Sequence, residues 1–339
     1  MTASPSSRFF NPRKTEPTKR SPAAALTAAG PLTTRAQGGN ANMAKANLIG
    51  PGAHKKELTS LLRDNARRHR LSTVFSDFVE LGALAVSNKV DKLQYDKREA
   101  RYLEIVGRYE REEVERFPIM FGLLADWLAC GFSDCLGDLF MSLELGDNFK
   151  GQFFTPYSVS SLMAALTIGD ATSEVERKGF ITFNEPACGS AGMLIACAEA
   201  LTAQQLDHTR HMHAIAIDID ATAVHMAYLQ LSLLGVPAIV IHGNALTLKE
   251  YGHWVTPMHV LGGWDCRLRR AEALRQAVEL LSAAEPAPVH IEPELAATDP
   301  SADEEPEPHH AGASATADAM ANATREIVAQ RAEQLGLFS

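Results

Sequence analysis

The chain has 339 residues, 46% of them hydrophobic and 22% charged, with 41 acidic against 32 basic side chains and a formal net charge of −9. That length and apolar content exclude a mini-protein stapled by disulfides, and predict about two domains. The net charge taken alone argues against nucleic-acid binding, but it conceals a strong polarity along the chain.

Residues 1–50 are predicted to form a disordered basic leader. They carry seven Lys or Arg against Glu16 alone, and Pro5, Pro12, Pro17, Pro22 and Pro31 interrupt them. Few large apolar side chains are available to drive folding. An Arg/Ser/Ala-rich, acid-poor composition also loosely matches an organellar transit peptide, and Met43 is an alternative first residue; the shortage of apolar bulk favours the plain leader.

A helical region is predicted over 51–150. Leu71, Phe75, Phe78, Leu81 and Ala85 recur at spacings of three and four, as do Ile119, Leu123, Trp127 and Cys130. Each series marks one apolar helix face. The charge-dense stretch between them, 91–116, reads as a solvated helix surface.

The texture changes over 151–282. The runs ITFNEPA (181–187), HAIAIDID (213–220) and PAIVIHGNA (237–245) are rich in Ile, Val and Ala, and helical stretches separate them. Strands alternating with helices imply right-handed crossovers and a parallel sheet, and continuous apolar runs suit strands covered on both faces. Residues 221–248 lack any Asp, Glu, Lys or Arg, which raises the question of a membrane span. Gly235, Pro237, His225, Gln230 and His242 break that stretch, so a buried helix followed by a buried strand is expected and no membrane association.

Residues 283–323 contain nine acidic residues and no Lys or Arg. This tract is predicted to be a disordered acidic linker, and its surplus equals the whole-chain excess. Residues 324–339 read as a short C-terminal helix ending in an apolar tip. The five cysteines are odd in number and lack paired CxxC spacing, which makes a zinc site improbable and fits a reducing, cytoplasmic setting. The histidines at 208, 211, 213, 309 and 310 lack carboxylate or thiol partners at ligand spacing, so no metal is expected.

The residues with chemistry begin at the end of the first predicted strand. Asn184-Glu185-Pro186-Ala187-Cys188-Gly189-Ser190-Ala191-Gly192 leads directly into a helix. Small residues at such a turn let a ligand approach the backbone, and N–H groups at a helix start favour an anion. The next strand ends in Asp218 and Asp220, and an acid at that position suits ribose hydroxyls. Strict GxGxxG is absent, which weakens a dinucleotide reading. For Ser190 the plain alternative is a helix cap.

NEPACGSAG resembles the cofactor-binding turn of DNA adenine-N6 methyltransferases, (D/E/N)PACGSGG, and GQFFTP (151–156) resembles the segment preceding that turn in modification subunits of type I restriction-modification systems. The resemblance covers 151–245 and implies an α/β, Rossmann-like class I S-adenosylmethionine-dependent methyltransferase domain preceded by the helical region. It implies S-adenosylmethionine as cofactor and DNA as partner. Thr155 and Pro156 would contact the methionine end, and Glu185 its amino group. The turn through Pro186, Ala187, Cys188, Gly189, Ser190 and Gly192 would approach the cofactor. Asp218 would hold the ribose and Asn244 would face the adenine. Ala191 stands where the family often has Gly, a small departure at a helix start. Core packing is the expected role for at least one of Phe153 and Phe154. In this family the methyl passes directly to the amine in a pocket that positions both reactants.

The family's catalytic (D/N)PP(Y/F) tetrapeptide, whose aromatic ring stacks on a flipped-out adenine, occurs nowhere in these 339 residues. The nearest substitutes are Trp264 and Asp265, after a stretch MHVL that reads as a degenerate fourth strand. About three further strands would be needed to complete the family's sheet, so an incomplete sheet is expected, with a second subunit completing it or a domain turned to cofactor binding alone. At the other end, Gln334, Leu335, Leu337 and Phe338 resemble the QL(S/D)LF peptide by which bacterial proteins bind the replication sliding clamp. A flexible linker carrying that peptide would raise the local concentration of the folded part at DNA.

Overall fold

A computed structural model describes residues 50–145 and 154–283. The predicted leader, the acidic linker and the peptide at Gln334, Leu335, Leu337 and Phe338 lie outside the described residues.

The chain first forms five helices: α1 (Pro51–Asn65), α2 (Leu71–Val90), α3 (Tyr95–Val106), α4 (Arg111–Ala129) and α5 (Cys135–Ser142). The α4 start carries a capping box, in which Glu110 and Glu113 each accept a hydrogen bond from the other's backbone N–H. In α2 the expected apolar face is the buried one, with Phe75, Phe78, Leu81 and Ala85 in the core. The α4 face is offset from the expected series. Phe117, Met120, Phe121, Leu124, Trp127 and Leu128 are buried, whereas Ile119 is 52% exposed and Cys130 is at the surface. Both series have helical spacing and share Trp127. The larger pair Phe117 and Phe121 supplies more apolar area and goes inward.

Next come α6 (Tyr157–Ile168), α7 (Thr172–Lys178), β1 (Ile181–Glu185), α8 (Gly192–Ala203), the one-turn α9 (His208–His211), β2 (Met212–Asp218), α10 (Ala221–Leu233) and β3 (Ala238–Asn244). The strands β1, β2 and β3 are parallel, with Glu185 opposite Ala216 and Asp218 opposite His242. Their C-terminal ends therefore share one margin of the sheet. Asp220 caps α10 by accepting from the N–H groups of Thr222 and Ala223. The charge-free stretch resolves into α10 and β3, and α10 is buried nearly all round between the sheet and α2. Among the described residues no helix is long and apolar enough to cross a membrane.

The fourth strand differs from the expected one. β4 (Lys249–Val255) runs antiparallel to β3, with Val240 opposite Trp254. The stretch MHVL instead lies in a short helix, α11 (Pro257–Leu261), capped by Thr256, and α12 (Trp264–Ala283) follows. Pro257 at the first helical position removes a strand donor and starts a helix readily. The sheet order is β1-β2-β3-β4, so among the described residues β1 and β4 are its edges. One hydrophobic cluster runs from Leu58 in α1 to Trp254 in β4 and joins the helices to one sheet face. Ile217 and Ile241 form a smaller cluster on the other.

A single cation binds the two regions at their margin. Arg98 is buried, forms an ion pair with Asp91 at 2.7 Å, donates to the Ser87 hydroxyl and to the His253 carbonyl at 2.7 Å, and lies over the Trp254 ring at 4.2 Å. The charge-dense stretch is thus not wholly a solvated surface.

Candidate functional site at the carboxyl ends of the strands

The turn from Pro186 to Ala191 leaves β1 and crosses toward β2. Its path is fixed by backbone bonds. The Cys188 N–H donates to the Ile217 carbonyl at 2.8 Å, and the Ala191 N–H to the Cys188 carbonyl at 2.8 Å. The Gly189 N–H donates to Asp218 Oδ2 at 2.8 Å, while Asp218 Oδ1 accepts from the Asp220 N–H at 2.9 Å. Asp218 and Asp220, adjacent in the strand-end motif, are thereby separated in role: one faces the turn and the other caps a helix.

Gly189 has φ +52°, and a Cβ there would sit 2.8 Å from the Phe154 ring. The conformation and the neighbour both demand glycine. Phe154 in turn meets Phe140 edge-on with ring centroids 5.1 Å apart, so this phenylalanine packs against the turn. Ala191 also has a left-handed backbone, φ +73°, and is fully buried at the start of α8. Ser190 caps nothing, because its hydroxyl points inward to the Asp134 carboxylate.

Thr155 and Pro156 are exposed just before α6, where Pro156 is the N-cap residue. Glu185 is half-buried at the end of β1. Burial raises its carboxyl pKa, and a hydrogen bond from the Ala187 backbone offsets this in part. Among the described residues no Lys or Arg pairs with Glu185 or Asp218. The Cys188 thiol is buried, and burial followed by the nearby Asp218 and Glu185 carboxylates pushes it well up, so it is a protonated packing group. Asn244 ends β3 and accepts through Oδ1 from the N–H groups of Leu246 (2.9 Å) and Thr247 (3.1 Å). Its oxygen is committed to the β3–β4 turn, which leaves the amide N–H groups as its outward chemistry.

The structure brings Glu185, Pro186, Ala187, Cys188, Gly189, Ser190, Gly192, Asp218 and Asn244 to one margin of the sheet. It does not bring Trp264 and Asp265 there. Trp264 is fully buried against Phe180 and His213, with both ring centroids 5.1 Å away. These residues lie at the opposite ends of β1 and β2. His213 and Asp218 are five residues apart along β2, about 16 Å at the strand rise. Asp265 accepts from His259 Nε2 at 2.9 Å, and His259 Nδ1 bonds His213 Nε2 at 2.9 Å. That chain belongs to the anchorage of α12. Among the described residues no metal-binding cluster of His, Cys, Asp or Glu occurs.

Two residues of the region escaped the sequence reading, Asp134 and Gln230, which hold Ser190 from below. An acid directly before the apolar CLGDLF segment is a helix-start signal that marks Asp134. Gln230 is one of several uncharged polar residues in α10, and no local signal singles it out.

Residues 140–261 match the family model of N-6 DNA methylases. No curated protein matches the sequence. Among solved structures the chain is similar to a protein from Listeria monocytogenes assigned to the class I S-adenosylmethionine-dependent methyltransferases, at 18% identity over 56% of this chain and 53% of that one, with a TM-score of 0.30. It is also similar to a type I restriction-modification system methyltransferase subunit from Streptococcus thermophilus, at 15% identity over 54% of this chain and 57% of that one, with a TM-score of 0.28. The chain spans about half the length of the solved structures it matches. The stretch that matches the N-6 DNA methylase model, residues 140–261, holds all four strands and the turn that joins Glu185 to Gly192.

Proposed function

We propose that the strand-end margin binds S-adenosylmethionine and that the chain serves adenine-N6 methylation of DNA, in the manner of a type I modification subunit. The observation that carries this reading is the Gly189 to Asp218 bond, which sets the turn and the acid of β2 side by side at the parallel strand ends, the general ligand position of open α/β sheets. The residues suit the cofactor. Glu185 is a desolvated carboxyl with no cationic partner among the described residues, a match for the ammonium of a methionine moiety. Asp218 can keep the Gly189 N–H and still accept ribose hydroxyls with its remaining lone pairs, the Asn244 amide N–H groups would meet the adenine, and exposed Thr155 and Pro156 would border the methionine end. The turn through Pro186, Ala187, Cys188, Gly189, Ser190 and Gly192 supplies backbone surface. Bound there, S-adenosylmethionine would supply an electrophilic methyl group for an amine, and the chain's own residues would hold and orient it.

A second reading is a cofactor-binding, DNA-associated accessory protein that does not transfer the methyl by itself. It is favoured by the lack of any (D/N)PP(Y/F) tetrapeptide in the 339 residues and by the distance of Trp264 and Asp265 from the margin. Under either reading a second subunit would complete the substrate side, and the peptide at 334–338 would engage the sliding clamp; deleting 337–339 should then abolish a clamp pull-down.

The deciding experiment is calorimetric titration with S-adenosylmethionine, followed by a methyl-transfer assay on adenine-containing DNA. Binding with transfer supports the enzyme, and binding without transfer the accessory protein. A chain that binds no S-adenosylmethionine overturns both.

A further inference from the structure

We infer that Asp134, which belongs to the helical region, is the positioning residue that holds the cofactor turn in shape through Ser190. The inference rests on the cofactor reading above and names a residue outside the margin itself.

Asp134 is the N-cap of α5. Its Oδ1 accepts from the Gly137 N–H at 2.9 Å and from Gln230 Nε2 at 2.9 Å, and its Oδ2 accepts from the Ser190 hydroxyl. Gln230 also donates to the Ser190 carbonyl at 2.8 Å and accepts from the Leu136 N–H at 2.9 Å. Ser190 is therefore held at both its hydroxyl and its carbonyl. Exposures of 5% for Asp134, 2% for Ser190 and 0% for Gln230 place this network away from the protein surface. Gly137 leaves no slack: a Cβ there would lie 2.1 Å from Asp134 Oδ2 and 2.6 Å from Ser190 Oγ.

Two neighbouring residues of the turn are thus pinned by two carboxylates from different parts of the molecule. Gly189 is held by Asp218 of β2, and Ser190 by Asp134 of α5. Asp134 is an expensive choice for stability alone. Burial raises its pKa, and among the described residues no Lys or Arg pairs with it. Apolar replacements of buried charged groups are often neutral or stabilising, so packing gives no reason for a carboxylate here. What it gives is a fixed geometry, since buried polar networks with every member satisfied define one arrangement. The Pro186–Ala191 backbone presented to the cofactor is built on that arrangement.

The test measures S-adenosylmethionine affinity by calorimetry, and thermal unfolding in parallel, for the full chain and for Asp134→Ala, Asp134→Asn and Ser190→Ala. Asp134→Ala is expected to weaken affinity about tenfold or more at temperatures where it is folded, the loss from unpairing one buried hydrogen bond. Asp134→Asn keeps an acceptor at Oδ1 and can donate from Nδ2 to Ser190 Oγ, so it should return affinity to within about threefold of the parent. Ser190→Ala should weaken binding comparably to Asp134→Ala, and combining the two should add nothing. If Asp134→Ala fails to fold, Ser190→Ala carries the test alone. Folded Ala variants with unchanged affinity, or an Asn variant as weak as the Ala variant, overturn the inference while leaving cofactor binding intact. A parent chain without affinity for S-adenosylmethionine overturns the cofactor reading and this inference together.

Discussion

The Gly189 N–H donates to the Asp218 carboxylate across 29 residues of sequence at 2.8 Å. The bond makes Asp218 a brace for the turn, and under the proposed function the same carboxylate would also hold the ribose. Asp218→Ala is expected to weaken S-adenosylmethionine binding by about 1–3 kcal/mol, the cost of leaving polar groups unpaired. Asp218→Asn retains an oxygen for Gly189 and should lose less. Calorimetric titration of both variants checks the order, and equal losses would show that the charge alone matters.

Glycine is required at 189 but not at 191, although both backbones are left-handed. Gly189→Ala would add about 1–2 kcal/mol of backbone strain and press a methyl onto Phe154 at 2.8 Å; urea unfolding should show a loss at least that large. Ala191→Gly should change stability by no more than about 1 kcal/mol. Strain relief of about 1–2 kcal/mol is offset by a buried methyl worth about 0.8 and by glycine entropy of about 0.5–1. Alanine is tolerated at 191 because its methyl is fully buried in the hydrophobic core.

Arg98 tests whether the helices and the sheet unfold as one body. Its partners are Asp91 and Ser87 on the helical side, and His253 and Trp254 of β4. Removing one member of a buried ion pair costs about 3–5 kcal/mol, so Arg98→Ala should lower the urea midpoint sharply, with a single transition by fluorescence and circular dichroism alike. Arg98→Lys should recover little, because a point charge cannot bond carboxylate, hydroxyl and carbonyl in one plane and cover an indole as well. Separate transitions would show that β4 and α3 are only loosely joined.

The parallel strands and α10 were legible because their apolar runs are long and bounded by glycine, proline and acids. The strand-end margin was legible because Glu185, Asp218 and Asn244 end consecutive strands and the glycine turn at Gly189 follows the first of them. β4 was not, since KEYGHWV has mixed charge and an internal glycine, and it is recruited by pairing with β3 rather than by its own pattern. The α4 face was misplaced by a residue or so because two helical series coexist there. Nothing local distinguishes Arg98 from the surface cations around it; its burial depends on Trp254, which is 156 positions away.

Acid should destabilise the protein through its buried histidines. Burial lowers His225 to about 4 from an ordinary 6.5, and drives His213 well below its usual range, with His259 and Arg267 adding to the effect. The folded state keeps these rings neutral while the unfolded chain binds protons, so the stability they confer is whole above pH 6.5 and is lost as pH falls toward 4. For His225 the loss is on the order of 3 kcal/mol. Urea midpoints measured between pH 7 and 4 should fall, and His225→Gln should flatten part of that fall. An unchanged slope in the variant would place the acid sensitivity elsewhere.

Trp264 and Asp265 offer the sharpest separation of anchorage from chemistry. Trp264 is fully buried between Phe180 and His213, with the Arg267 guanidinium 3.7 Å from its ring centroid. Trp264→Ala should therefore cost about 3–5 kcal/mol of stability, as large aromatic truncations in cores do. Because the indole sits at the opposite strand ends from Asp218, the folded fraction should bind S-adenosylmethionine with unchanged affinity. Asp265→Asn keeps an acceptor for His259 and should leave both stability and cofactor affinity within about twofold or 0.5 kcal/mol of the parent. A selective loss of methyl transfer in Asp265→Asn, with stability and cofactor binding intact, would show that this end of the sheet takes part in the chemistry and that the two margins work together.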